Sequence, residues 1–146
     1  MPETTPSLLS AENLECTRDD RRLFNGLSFG LGSGEVLQIE GPTGSGKTSL
    51  LRILSGLRRA DDGMVKWLDN EIQHAREDYY ASMVYIGHLP CIKNDLTTLE
   101  TIRVLLDTRS QSVSSAKVEE ALASVGLAGF EDVAGQALSS GQRRRV

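Results

Sequence analysis

The stretch Gly41-Pro-Thr-Gly-Ser-Gly-Lys47-Thr48 constrains this chain more than any other. It has the form G-x-x-x-x-G-K-S/T, a pattern that carries meaning when a strand precedes it and a helix follows. Residues 36–39 (Val-Leu-Gln-Ile) are short, apolar and bounded by Gly34 and Gly41, which predicts a buried strand running into the loop. Residues 49–57 predict a helix leaving it, with Leu50, Leu51, Ile53, Leu54 and Leu57 as the apolar face and Gly56 near the end. Such an arrangement suits a nucleotide's phosphates. Backbone N–H groups can surround crowded negative charge only where no Cβ intervenes, which Gly44 and Gly46 allow. The helix aims its first amides and the positive end of its dipole at the same anion. Lys47 adds a mobile cation, and the Thr48 hydroxyl is placed to ligate Mg²⁺. Gly41, Pro42, Thr43, Ser45 and Ser49 complete the candidate site. The plainer alternative is a Gly-rich turn between two elements.

A length of 146 residues bounds the chain to about one domain. A net charge of −4 and a pI near 5.2 argue against nucleic acid as a partner. No apolar run approaches the ~20 residues of a membrane span, so a membrane role would run through a partner. Residues 1–10, with Pro2 and Pro6 among Ser and Thr, read as a flexible tail and not as a signal peptide, leaving 11–146 as the domain. Cys16 and Cys91 form no C-x-x-C pair, which suits a reducing compartment.

The remaining pattern is α/β. Residues 8–16 and 27–31 predict an antiparallel strand pair joined by the charged turn 18–22, and residues 64–68 predict a strand after the turn 60–63. Residues 83–86 (Met-Val-Tyr-Ile) predict another buried strand. Helices are expected over 98–106, behind a Thr cap, and over 114–125, with Val118, Leu122 and Val125 on one face and Gly126 as the stop.

Leu138-Ser139-Ser140-Gly141-Gln142 would alone be an ordinary loop-to-helix junction with a serine N-cap. Roughly ninety residues after a phosphate loop, it resembles the signature motif of ATP-binding cassette (ABC) ATPases. The resemblance implies a P-loop NTPase of the ABC type, with an N-terminal antiparallel β part and a helical subdomain. In that family the signature contacts the γ-phosphate held by a second copy, roles that fall to Ser139 and Gly141, with Gln142 in the same motif. Ser140 stands where glycine is usual.

The stretch around Gly87-His88, with Ile92-Lys93 and Leu96-Thr-Thr-Leu99-Glu100, is similar to the ATPase subunits of the cytochrome c maturation (heme exporter) system. So are Lys47-Thr-Ser-Leu-Leu-Arg-Ile-Leu and the closing Gly-Gln-Arg-Arg-Arg-Val. His88 occupies the place of a glutamine that in most cassettes links Mg²⁺ and water to the membrane partner. Arg18 occupies the place of an aromatic that stacks on adenine; a guanidinium can also stack there, or Arg18 is a solvated turn residue. His88 and Cys91 could both ligate metal or heme, but two residues do not complete a site. The resemblance implies ATP and Mg²⁺ as cofactors, and membrane-embedded transporter subunits and a second copy as partners. It also implies a peripheral place on the cytoplasmic face of the inner membrane. The family continues past its signature into a Walker B strand, a catalytic glutamate and a switch histidine. The C-terminal part of the core is therefore expected to be missing from these 146 residues, which as a fragment are expected to bind nucleotide without turnover. A cassette ATPase for another cargo is the third reading.

Overall fold

The computed structural model describes residues 7–87, 91–108 and 111–146. The chain divides into two compact units, Met1–Tyr85 and Ile86–Val146.

The first unit is built on a four-stranded antiparallel sheet in the order β2-β1-β3-β4, with β1 Leu9–Arg18, β2 Arg21–Leu31, β3 Asp62–Trp67 and β4 Asn70–Glu71. β1 thus includes Leu9 and Ser10, the last two residues of the stretch assigned to the tail. The β1–β2 turn is tighter than its five charged residues suggest. Only Asp19 and Asp20 stand outside the ladder, with φ of 51° and 57°. Two central residues at positive φ are the I′ arrangement, whose twist matches the flanking strands.

β1 is the buried strand, and its inward residues are Ala11, Leu14 and Cys16. The step from 11 to 14 breaks strict alternation because Asn13, at φ 50°, sits in a bulge where pairing to both neighbours slips. One extra residue shifts the phase and returns Leu14 to the core side. Opposite the bulge, Gly63 of β3 has φ 83°, and a Cβ there would collide with the backbone of Glu12 and Asn13.

Helix α1, Lys47–Leu54, contributes Leu50, Ile53 and Leu54 to the same core as Leu14, Cys16 and Val65. It ends earlier than residue 57, and Leu51 and Leu57 are 46% and 56% exposed, so the apolar face is narrower than the leucine count suggests. Helix α2, Arg76–Ser82, has no clear sequence signal. It serves the end of α1: the Tyr79 hydroxyl donates to Leu54 O at 2.6 Å and that of Tyr80 to Gly56 O at 3.0 Å. Carbonyls at a helix C-terminus lack intrahelical partners, and these phenols supply them.

Two expected strands are absent. Residues 36–39 and 83–86 belong to no ladder among the described residues. Val36 is 91% exposed, Val84 69% and Ile86 87%. A strand of a parallel sheet requires pairing neighbours and cover on both faces, and apolar composition alone provides neither.

The second unit is helical: α3 Thr98–Asp107, α4 Ser115–Ser124 and α5 Ser140–Arg145. Thr97 caps α3 in a reciprocal box with Glu100. Ser114 and Val125 flank α4, and Gly126 at φ 72° follows it. Val118, Leu122 and Leu127 form the core, with Leu99, Ile102, Leu106 and Phe130 packed around them.

Candidate functional site

The 41–48 loop enters α1 through glycines that no other residue replaces without strain. Gly44 has φ 82° and Gly46 φ 100°. Gly46 is the residue preceding α1, and a Cβ on it would lie 3.0 Å from Cβ of Leu23 in β2, so the loop rests against the hairpin through a gap that only hydrogen fits. Ser45 N donates to Pro42 O at 3.2 Å and Leu50 N to Gly46 O at 2.8 Å, which close the loop's two turns.

What remains open is a set of donors. No side chain caps α1, and the amides of Gly44, Gly46, Lys47, Thr48 and Ser49 have no backbone acceptor among the described residues. Lys47 Nζ donates to Gly41 O at 2.6 Å and Pro42 O at 2.9 Å, folded back over its own loop. An ammonium has three donors, and carbonyl oxygens are the partners it takes when no anion is at hand. Thr48 is exposed and Ser49 buried at the head of the helix.

Thr43, Gly44, Gly46, Lys47, Thr48 and Ser49 form one wall of a cleft of about 480 Å³. That is within the roughly 300–1,000 Å³ usual for small-molecule sites. Its other wall is the hairpin end, with Arg18, Asp19, Arg21 and Leu23. Arg18 is thus brought to the phosphate loop. Arg21 and Leu23 were not identified from sequence, and only the register of the I′ turn, which sets Arg21 directly opposite Arg18, could have pointed to them. A second pocket at the far end of α1 has about 30 Å³, room for little more than one water.

In the second unit, Ser139 is the N-cap of α5. Its Oγ accepts from Gln142 N at 3.2 Å, while Gln142 Oε1 accepts from Ser139 N at 2.8 Å. The cap uses the serine oxygen as an acceptor and leaves its proton free to donate. Gly141 is exposed, its N–H has no partner among the described residues, and nothing lies within 4 Å of where a Cβ would be. Arg143 holds this turn in place: its guanidinium donates to Leu138 O, Gln136 O and Asn94 Oδ1 at 3.2, 3.1 and 3.3 Å. Arg145 donates to Gly141 O and Val125 O at 3.3 and 3.0 Å. Arg143 and Arg145 are therefore a scaffold for Ser139 to Gln142. Cys91 is exposed, and His88 lies outside the described residues.

Residues 24–146 match the ABC transporter family. The cytochrome c biogenesis ATP-binding export protein CcmA of Methylococcus capsulatus is 50% identical over 138 residues, covering 94% of this chain and 67% of that protein. The protein of the same name from Yersinia pseudotuberculosis is 51% identical over 139 residues, covering 95% of this chain and 63% of its own length. The chain thus spans about two-thirds of the length of these curated relatives. An ABC transporter ATP-binding protein from Pyrococcus furiosus shares the fold with a TM-score of 0.82 at 19% identity, over 94% of this chain and 66% of that one. The ATP-binding subunit of another ABC transporter shares it at 0.78 and 20% identity, over 95% and 59%. Matched to the family over residues 24–146 and sharing half its residues with such relatives, this chain belongs to the ABC transporter family.

Proposed function

We propose that this chain is the nucleotide-binding part of the ATP-binding subunit of an ABC transporter, whose complete form couples ATP binding and hydrolysis to heme export or heme handling in cytochrome c maturation. The observation that carries the reading is the set of free loop amides facing a cleft beside Lys47. Residues 41–49 hold the phosphates: the amides of Gly44, Gly46, Lys47, Thr48 and Ser49 donate to their oxygens, and Lys47 Nζ exchanges its two carbonyl partners for them. The Thr48 hydroxyl would hold Mg²⁺, which would supply charge neutralisation on the phosphates. Arg18 lies at the base end, and His88 is assigned to the loop that couples to the membrane partner. Ser139 and Gly141 offer a free hydroxyl proton and a free amide to the γ-phosphate of a second copy, with Gln142 fixing the cap.

The assembly would be peripheral, on the cytoplasmic face of the inner membrane, with membrane-embedded subunits of the maturation system as partners. No helix among the described residues is long and apolar enough to cross a membrane. The names of the relatives support a place in cytochrome c biogenesis and export. A second reading, binding without turnover by residues 1–146 alone, is favoured by one observation. The only carboxylate among the described residues of the cleft is Asp19, at the hairpin end and away from the phosphate wall, and γ-phosphoryl transfer to water needs a group that orients the water.

A chimera tests the assignment. Residues 1–146 joined to the C-terminal third of the Methylococcus relative should restore c-type cytochromes, read by heme stain, to a bacterium lacking its own subunit. The Lys47→Ala chimera should restore none. Restoration by both, or by neither, would count against the proposal.

A further inference from the structure

Helix α1, whose first amides face the cleft, is eight residues long, about two turns. Helices this short are marginal by themselves, and the amides and dipole that meet an anion exist only while both turns are formed. The entry to α1 is held where Gly46 meets Leu23. At the other end, the last four carbonyls lack partners within the helix. Three of them are closed locally: Leu51 O accepts from Ser55 N at 2.9 Å, Arg52 O from Arg58 N at 3.0 Å and Ile53 O from Gly56 N at 3.0 Å. The fourth, Leu54 O, is closed from 25 residues away by the Tyr79 hydroxyl at 2.6 Å. The Tyr80 hydroxyl secures the turn that follows through Gly56 O, and it packs so close that a Cβ on Gly56 would lie 3.0 Å from its oxygen.

The two phenols are themselves anchored. Tyr79 is the buried residue of α2, its ring centroid 5.8 Å from that of Trp67 at the end of β3 and 6.2 Å from that of Tyr80, and the Arg76 guanidinium lies 6.0 Å from the Tyr80 ring. Helix α1 is thus held at its entry by the hairpin and at its exit by an aromatic cluster fixed to the sheet. Phosphate binding needs several amides in place at once, so a helix free to fray or shift at its far end binds less tightly, having more order still to gain. Resting on the reading of residues 41–49 as a phosphate site, we propose that Tyr79 and Tyr80 are positioning residues for nucleotide binding. From the far end of α1 they keep the amides of Lys47, Thr48 and Ser49 in place for the phosphates. Linkage makes the effect reciprocal: nucleotide tightens the phenol contacts by the factor by which those contacts tighten nucleotide.

Binding of a ribose-labelled fluorescent ATP, and its displacement by ATP or inorganic tripolyphosphate, is measured on the 146-residue chain, Tyr79→Phe, Tyr79→Phe/Tyr80→Phe, Lys66→Ala and Lys47→Ala, each verified as folded by circular dichroism. The phenylalanines keep the rings and drop only the hydroxyls. Lys66→Ala breaks the 2.7 Å pair with Glu12 on the sheet face opposite buried Val65, and so lowers stability without touching α1. The double variant should bind ATP and tripolyphosphate alike about three- to tenfold more weakly, the scale of a lost hydrogen bond, with Lys66→Ala close to wild type. Tyr79→Phe alone should lose at least about threefold, and it decides the matter if the double variant does not fold. By reciprocity, ATP should slow amide exchange over residues 55–58 in the wild type and much less in the tyrosine variants. A loss below about threefold in the folded tyrosine variants, an equal loss in Lys66→Ala, or protection of 55–58 that the variants leave intact would overturn the positioning role. Lys47→Ala separates the two claims. Binding lost in Lys47→Ala but kept in full by the tyrosine variants removes the inference and leaves the phosphate site standing, whereas binding indifferent to Lys47→Ala removes both.

Discussion

Gly46→Ala tests whether the phosphate loop is held against the hairpin as described. Gly46 and Gly44 both have positive φ, 100° and 82°, so alanine at either meets a backbone penalty of about 1–2 kcal/mol. The two differ in surroundings. A Cβ at 44 meets nothing within 4 Å, whereas one at 46 meets Leu23 Cβ at 3.0 Å and Leu23 Cδ1 and Phe24 Cδ1 at 3.4 Å. Overpacking of that kind adds about 1–3 kcal/mol, since Leu23 is in a strand and its Cβ cannot swing aside. Gly46→Ala should therefore destabilise by about 2–5 kcal/mol and Gly44→Ala by about 1–2. Leu23→Ala does not remove the nearest atom but clears Cδ1, so Gly46→Ala should cost about 0.5–1 kcal/mol less in that background, while Gly44→Ala stays additive. Urea unfolding followed by circular dichroism reads all six proteins. Equal costs for the two glycine variants, with no coupling to Leu23, would refute the close approach of loop and hairpin.

Burial raises the Cys16 thiol above its ordinary 9.0, and burial, with a smaller contribution from Tyr80, raises the Tyr79 phenol above its ordinary 10.0. The unfolded chain loses these protons first, so their stabilising contribution is full below about pH 8 and declines as pH rises through the ordinary values to the raised ones. The urea midpoint should fall between pH 8 and pH 10.5, less steeply in Tyr79→Phe, and a flat or rising midpoint would contradict the sign. Arg143→Ala removes hydrogen bonds to Leu138 O, Gln136 O and Asn94 Oδ1 and should cost roughly 1–2 kcal/mol, with faster amide exchange over 135–142. The exposed Arg144→Ala serves as the comparison and should leave that exchange unchanged.

The elements legible from sequence were those decided locally. The Thr cap before residue 98, the Gly126 stop and the glycines of the phosphate loop are written in a few adjacent residues, and the structure follows them. Elements decided by distant partners were not legible. The apolar runs at 36–39 and 83–86 carry strand composition but pair with nothing among the described residues. Helix α2 lacked an apolar period because its role is to place two tyrosine hydroxyls on the carbonyls ending α1. At the site, Lys47 and Ser139 could be found from motifs, but Arg21, Leu23 and Arg143 could not. Their positions depend on strand register and on side chains folding back onto backbone, and neither leaves a fixed spacing in the chain.

The central claim is that the amides of Gly44 and of Gly46 to Ser49, with the Lys47 ammonium, form the phosphate site. Amide hydrogen exchange of the 146-residue chain, with and without ATP and Mg²⁺, tests it most directly. ATP should slow exchange in peptides spanning residues 41–54 in the wild type and leave Lys47→Ala unchanged. Protection confined to other residues, or protection of 41–54 that survives Lys47→Ala in full, would contradict it.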